Sequence, residues 1–156
     1  KNVIPANLTI KEHRAAQIQG GILNKRWDLA YAYGINENKN QVMELKSICL
    51  KNMGKWFNSR VEEAIGVATD LRFASGDNIK LNYFLVVEDN LPKEKEKIRQ
   101  KNLIKISKFC KYLEKDLKLY DNVCCIVLNS NKNYYCAYSS FETFLSMWVN
   151  HEGEVK

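Results

Sequence analysis

Over residues 26–33 (RWDLAYAY) the side chains alternate: Trp27, Leu29, Tyr31 and Tyr33 fall on one side, and Asp28, Ala30 and Ala32 on the other. Successive side chains of an extended chain point to opposite faces, so a period of two predicts a strand. Residues 34–40 (GINENKN) are dense in turn formers, which predicts a hairpin. Its return strand covers 41–50 (QVMELKSICL), with Val42, Glu44 and Lys46 on one face and Met43 and Leu45 on the other. The period then changes. Over 52–73 the residues Met53, Trp56, Phe57, Val61, Ala64, Ile65, Ala68 and Leu71 recur at three- and four-residue intervals, the core-facing stripe of an amphipathic helix. Ser75-Gly76-Asp77-Asn78 ends it.

Residues 79–87 (IKLNYFLVV) are β-branched and aromatic enough for a buried strand, and Pro92 opens a lysine-rich loop. Helical spacing resumes over 98–120 through Ile106, Phe109, Cys110, Leu113 and Leu117. Strands follow at 122–128 (NVCCIVL) and 133–138 (NYYCAY), and a closing helix at 141–149 buries Phe144, Leu145 and Trp148. At the amino end, residues 8–19 predict a short helix stopped by Gly20-Gly21. The order is β-hairpin, helix, strand, helix, strands, helix, which predicts a mixed α/β (α+β) domain with one central sheet flanked by helices.

A chain of 156 residues is one domain's worth, so 1–156 reads as a single domain. With 46% apolar and 27% charged residues, disorder, collagen-like repeats and a disulfide-stapled miniprotein are excluded. No apolar run approaches the length that spans a bilayer, and the start Lys1-Asn2-Val3-Ile4-Pro5 lacks a signal peptide's apolar core. The expectation is a cytoplasmic protein of a bacterial or archaeal cell without a membrane partner. Five cysteines, without Cys-x-x-Cys spacing, read as reduced core thiols. Two histidines, His13 and His151, are a poor basis for a metal site or a Ser-His-Asp triad. Lys and Arg outnumber Asp and Glu 24 to 18, a net charge of +6, and the excess favours a polyanionic partner.

The chemistry concentrates where charges stand among apolar strand neighbours. Asp28, Glu44 and Lys46 are such charges, and buried ions need partners or a metal. All three positions are even, so a hairpin register pairing even with even residues gathers them on one face. Carboxylates at Asp28 and Glu44 would hold Mg²⁺, which keeps waters and reaches a substrate phosphate, while Lys46 positions and polarises the attacking water. Such hydrolysis needs no histidine. Asp/Glu-x-Lys occurs four times, at Glu37/Lys39, Glu44/Lys46, Asp116/Lys118 and Glu154/Lys156. Only Glu44/Lys46 lies in a predicted strand preceded by another strand bearing an aspartate.

A longer pattern surrounds this motif. It comprises Asn24-Lys25-Arg26-Trp27-Asp28-Leu29, Val42-Met43-Glu44-Leu45-Lys46-Ser47, Phe57-Asn58-Ser59-Arg60-Val61-Glu62-Glu63-Ala64-Ile65-Gly66 with Asp70-Leu71, and Tyr83-Phe84-Leu85-Val86-Val87-Glu88-Asp89. In order and spacing it resembles the XhoI family of type II restriction endonucleases, within the Asp…(Asp/Glu)-x-Lys nuclease superfamily. The similarity covers residues 24–90 and fits more loosely to the end. It implies a restriction-endonuclease-like fold and Mg²⁺-dependent cleavage of double-stranded DNA at a short palindrome by a homodimer, with Asp28, Glu44 and Lys46 on the catalytic positions. Asn58-Ser59-Arg60-Val61 departs from the family's Asn-Asn-Arg-Thr, and Ile48-Cys49-Leu50-Lys51-Asn52 replaces its Gly-Pro-Ser-like segment, so the site read can differ from CTCGAG. The family carries a longer helical region before its Trp-Asp strand, and residues 1–23 read as a truncated or diverged remainder.

Asn58 and Arg60 are candidate DNA contacts, to adenine and to guanine or phosphate respectively, and Lys51 and Lys55 complete that set. Helix-surface ion pairing is the competing reading for Arg60, Glu62 and Glu63. Glu88 and Asp89 could assist metal binding or cap a turn, and Glu12 could supply a further acid. The lysines from Lys93 to Lys118 form a basic flank, either a DNA clamp or a solvated helix face. Two other functions stay open: a repair or junction-resolving nuclease of the same fold, and a DNA-binding protein in which Asp28, Glu44 and Lys46 are a buried ion network.

Overall fold

The computed structural model describes residues 14–31, 40–131 and 133–149. Strand β1 (Arg14–Gln19) leads into β2 (Asn24–Tyr31) and β3 (Asn40–Cys49), followed by helix α1 (Met53–Ser75), β4 (Ile79–Glu88), α2 (Glu96–Lys111), β5 (Asn122–Leu128), β6 (Tyr134–Tyr138) and α3 (Phe141–Val149). The six strands form one mixed sheet in chain order. β1 and β2, and β2 and β3, pair antiparallel; β3, β4 and β5 are parallel; and β6 returns antiparallel to β5. The parallel pairs follow from the helices between them, because parallel neighbours need a crossover of a dozen residues or more. The domain is therefore α+β, with helices on both faces of one sheet.

Two apolar clusters divide the sheet's faces. On one, Trp27, Val42, Ile48, Leu81, Tyr83, Leu85, Val123 and Cys125 pack with Phe57, Ala64, Ala68 and Leu71 of α1 and Ile106, Phe109 and Cys110 of α2. On the other, Met43 and Cys124 meet Phe144 of α3, with Leu29, Phe84, Ile126 and Phe141 beside them. The strand alternation predicted for β3 holds, Val42 and Ile48 facing α1 and Met43 facing α3. Gly76 stops α1 at φ 56°, its amide donating to the Arg72 carbonyl at 2.8 Å, a left-handed conformation that glycine adopts without a Cβ penalty.

Five expectations are corrected. Residues 14–19 are a strand, not the end of a helix: no apolar stripe runs through RAAQIQ, and pairing with the otherwise open edge of β2 satisfies its backbone. The second long helix ends at Lys111, and a wide turn over Tyr112–Asp116 carries the chain to Lys118 at φ 51°. Trp56 and Leu145 are not in the core but 47% and 40% exposed, with the Lys55 ammonium 4.7 Å from the Trp56 ring centroid. Strict alternation in β2 also fails. Between the pairs Arg14↔Ala30 and Ala16↔Trp27, β1 advances two residues while β2 advances three. This bulge lets Trp27 and Ala30 share the α1 face and breaks the pattern at Asp28 and Leu29.

The turn joining β1 to β2 is fastened to α1. Asp70 accepts from the amides of Ile22 at 2.7 Å and Leu23 at 3.0 Å, and the Gly21 amide donates to the Asp70 carbonyl at 3.2 Å. A Cβ on Gly20 would stand 1.9 Å from Asp70 Oδ2, so only glycine lets the turn approach the helix this closely. The clamp fixes the height at which β2 presents Lys25, Trp27 and Asp28 to β3.

Candidate active site

Glu44 lies mid-strand on β3, 1% exposed, where a carboxylate persists only with partners. It has them. Lys25 Nζ, from β2, is 3.0 Å from Glu44 Oε1, and Lys46 Nζ, two residues along the same face of β3, bonds the same oxygen. Lys46 also reaches Glu63 Oε1 of α1 at 3.0 Å, and Arg60, one helical turn before Glu63, donates to Glu63 Oε2 at 2.9 Å. The result is a chain of charges, Lys25–Glu44–Lys46–Glu63–Arg60, running from β2 across β3 to α1.

Four polar atoms in or beside this chain are buried without a hydrogen-bond partner among the described residues: Trp27 Nε1, Glu44 Oε2, Arg60 Nε and Tyr83 Oη. Tyr83 stands beside Glu44 in the parallel register of β3 and β4, its ring edge-on to Phe109 and Tyr120. Burial pushes its hydroxyl far above the ordinary tyrosine value, and the neighbouring Cys110 thiol and the Glu44 and Glu63 carboxylates add to the shift. An unpaired buried hydroxyl costs about 1–3 kcal/mol. Tyr83→Phe is therefore expected to leave the fold as stable or up to about 1 kcal/mol more stable, read from urea denaturation. A loss of 1 kcal/mol or so would mean that the hydroxyl has a partner in solution.

Burial pulls the Lys46 ammonium toward neutrality, but hydrogen bonds to Glu44 and Glu63 outweigh it and hold its pKa above 10.5. Burial pushes Glu63 up, and Lys46 and Arg60 outweigh that, holding it below 4.5. The depressed carboxylate stabilises the fold above pH 4.5 and loses that contribution as pH falls through its folded-state value. The raised ammonium contributes below pH 10.5 and loses it as pH rises through its own. The stability difference between wild type and Glu63→Gln should thus be flat between those limits and shrink beyond both, measured by denaturant unfolding across pH. A difference that grows in acid would contradict the network.

Asp28 is placed differently from Glu44 and Lys46. The β2–β3 ladder pairs Tyr31↔Gln41, Ala30↔Val42 and Leu29↔Met43 and goes no further. At the next position Asp28, exposed, accepts from the Leu45 amide at 2.8 Å through Oδ2. Its carboxylate takes the place of a missing ladder carbonyl. The even-with-even register is present, yet the bulge sets Asp28 at the seam between the strands beside the Glu44-Leu45-Lys46 segment instead of in the ion chain.

Of the candidate DNA contacts, Arg60 is committed to Glu63, while Lys51, Lys55 and Asn58 lie exposed around the start of α1. Asp89 accepts from Arg99 Nε at 2.6 Å and from the Leu91 amide at 3.3 Å, the turn-capping alternative for that residue, and Glu88 is exposed at the end of β4. Glu12, His13 and His151 lie outside the described residues, as do Glu37/Lys39 and Glu154/Lys156. Asp116/Lys118 sits in and after the wide turn that follows α2. Along α2, Lys97, Lys101, Lys105, Lys108 and Lys111 are exposed. All five cysteines are free, with Cys110, Cys124 and Cys125 buried, Cys49 half-buried and Cys136 exposed. Among the described residues no helix is long and apolar enough to cross a membrane.

Two participants escaped the sequence-based site. Lys25 was legible: it is two residues before Trp27, hence on the same face of β2, and that face packs under α1. Glu63 carried a weaker signal, its i,i+3 spacing from Arg60 on the edge of the helix stripe.

No protein-family model, curated protein or solved structure matches this chain.

The donor set bears on a divalent cation. Among the described residues no three His, Cys, Asp or Glu side chains gather into a cation cage. Mg²⁺ needs less: one or two carboxylates, waters and substrate phosphate oxygens suffice. Glu44 offers a buried oxygen without a partner, and Asp28 offers an exposed carboxylate on the adjoining strand. Carboxylate oxygens are the donors such an ion takes, with a substrate phosphate completing its shell.

Proposed function

We propose that this chain is a Mg²⁺-dependent endonuclease of the Asp…Glu-x-Lys type acting on double-stranded DNA, and specifically a type II restriction endonuclease cutting a short palindrome as a homodimer. The observation that carries the reading is the buried Glu44 carboxylate, which meets Lys46 through one oxygen and keeps the other unpartnered. A purely structural ion pair buried in a sheet would be expected to satisfy both oxygens. The α+β sheet with Glu44 and Lys46 on β3, where its antiparallel and parallel parts meet, the basic balance of the chain and the resemblance to XhoI-type enzymes support the same reading.

Glu44 and Asp28 would hold the ion, which when bound neutralises phosphodiester charge and lowers the pKa of a water. Lys46 has a defined part. Held as an ammonium by Glu44 and Glu63, it has donors only, so it orients the attacking water and stabilises charge developing at phosphorus rather than taking a proton. Glu63 and Arg60 aim it. A twofold palindrome presents equivalent half-sites, which a twofold dimer cuts together.

Incubation of the chain with supercoiled plasmid and Mg²⁺, with EDTA as control, tests this. Discrete linear fragments in Mg²⁺ alone are expected. Cleavage confined to branched DNA would assign a junction-resolving role. A second reading draws on the two ammonium groups that already neutralise Glu44: a DNA-binding module with an ion network and no catalysis, for which the same experiment would give a gel shift without cutting.

A further inference from the structure

The two lysines on Glu44 are not equivalent. Lys46 is gripped by two carboxylates, Glu44 on its own strand and Glu63 on α1. Lys25 has Glu44 as its one acidic partner among the described residues, at 3.0 Å and through an oxygen it shares with Lys46. Its other neighbour is the Trp27 ring, whose centroid lies 5.6 Å from Nζ. A cation arriving at Glu44 therefore meets two ammonium groups with unequal holds. Lys46 keeps Glu63 if it yields part of Glu44, whereas Lys25 yields its only ion pair. The two side chains are about equally buried, 18% exposed for Lys25 and 17% for Lys46, so the difference between them lies in their ion pairs.

We propose that Lys25 is a displaceable counter-cation of the site: it neutralises Glu44 at rest through Oε1, is driven off by charge repulsion when a divalent cation takes the unpartnered Oε2, and transfers to the DNA phosphate that accompanies the ion. The exchange keeps the charge beside Glu44 near balance at every stage. With the metal absent, Lys25 offsets a carboxylate that 1% exposure deprives of water. With metal and DNA present, the surplus positive charge moves to the incoming phosphate, the nearest new anion. The site would accordingly bind metal weakly until DNA arrives, because each ligand removes a cost the other faces alone. Lys25 is a positioning and charge-balancing residue here, and this role rests on the metal-dependent reading above.

Two measurements on the full chain decide it. Mg²⁺ is titrated calorimetrically, without DNA, into wild type, Lys25→Met, Lys25→Arg and Glu44→Gln. Removing the competing ammonium should tighten Mg²⁺ binding by about tenfold or more, between the roughly sixfold that a unit charge at about 4 Å is worth in bulk water and the roughly 10³-fold of a partly buried setting. Lys25→Arg should bind as wild type does, and Glu44→Gln should lose the site. Second, DNA affinity is measured against NaCl concentration at fixed Mg²⁺. Loss of one phosphate contact should make the slope of log K against log[salt] shallower by about 0.9 in Lys25→Met. Lys25→Gln repeats both tests should the methionine variant fold poorly. Unchanged Mg²⁺ affinity in Lys25→Met, or an unchanged salt slope, overturns the proposal while Glu44-dependent metal binding keeps the underlying site. Absence of Glu44-dependent Mg²⁺ binding in both wild type and Lys25→Met, with an uncleavable duplex present as well as without DNA, removes the metal reading itself, and this proposal with it.

Discussion

Replacement of Lys46 by methionine, or of Glu44 by glutamine, is expected to lower the single-turnover rate of DNA cleavage by about 10³-fold or more, the scale of losing a positioned charge at a reacting phosphate. Both changes preserve shape: methionine keeps most of the lysine stem, and glutamine keeps the planar end of Glu44 while removing its charge. Binding should survive, since affinity for a duplex is spread over many phosphate contacts, and anisotropy in EDTA should differ from wild type by no more than about threefold. The two variants fail for different reasons. Glu44→Gln removes an ion ligand and should respond to raised Mg²⁺ concentration; Lys46→Met removes the ammonium that orients water and should not. Near wild-type cutting by either variant would show that the chemistry lies elsewhere.

The second large effect is on stability. Asp70→Ala is expected to cost about 2–3 kcal/mol, because it leaves two turn amides without their acceptor. Gly20→Ala should cost a similar amount by another route: its Cβ would fall 1.9 Å from Asp70 Oδ2, which forces the carboxylate off the Ile22 and Leu23 amides. Since both changes break the same contacts, their effects should not add. The double variant is expected within about 1 kcal/mol of the worse single one, a coupling that sites acting independently do not show. Denaturant unfolding of the four proteins measures the cycle; full additivity would mean that Gly20 and Asp70 act through separate contacts. The clamp also matters for the site, because it sets the position of β2 and thus of Lys25 and Asp28.

Much of the architecture was legible in the sequence. β3 and α1 could be read because their apolar positions recur with a clean period, and β4 and β5 because their apolar runs suit strands covered on both faces. The first strand could not. As an edge element it has one paired side, and its backbone bonds rather than a burial pattern define it. Asp28 was read as a costly charge among apolar neighbours, but it is exposed at the seam between β2 and β3, its carboxylate accepting from the Leu45 amide. A single extra residue in β2 reverses parity beyond it, and nothing in RWDLAYAY marks where that residue sits. The pairing of Glu44 with Lys46 survives because both are on β3, where no bulge intervenes. Glu63 comes from α1, and its meeting with Lys46 depends on how that helix lies across the sheet, which a linear pattern does not encode.

The most direct test of the site is where a metal ion goes. Crystals of the full chain with a duplex, grown with Mn²⁺ in place of Mg²⁺, would locate it by anomalous scattering. An ion about 2.1 Å from Glu44 Oε2, with Asp28 and a phosphate oxygen beside it, is the expected result. An ion bound elsewhere, with Lys25 and Lys46 still closing on Glu44 and no phosphate near them, would contradict a catalytic role for this carboxylate.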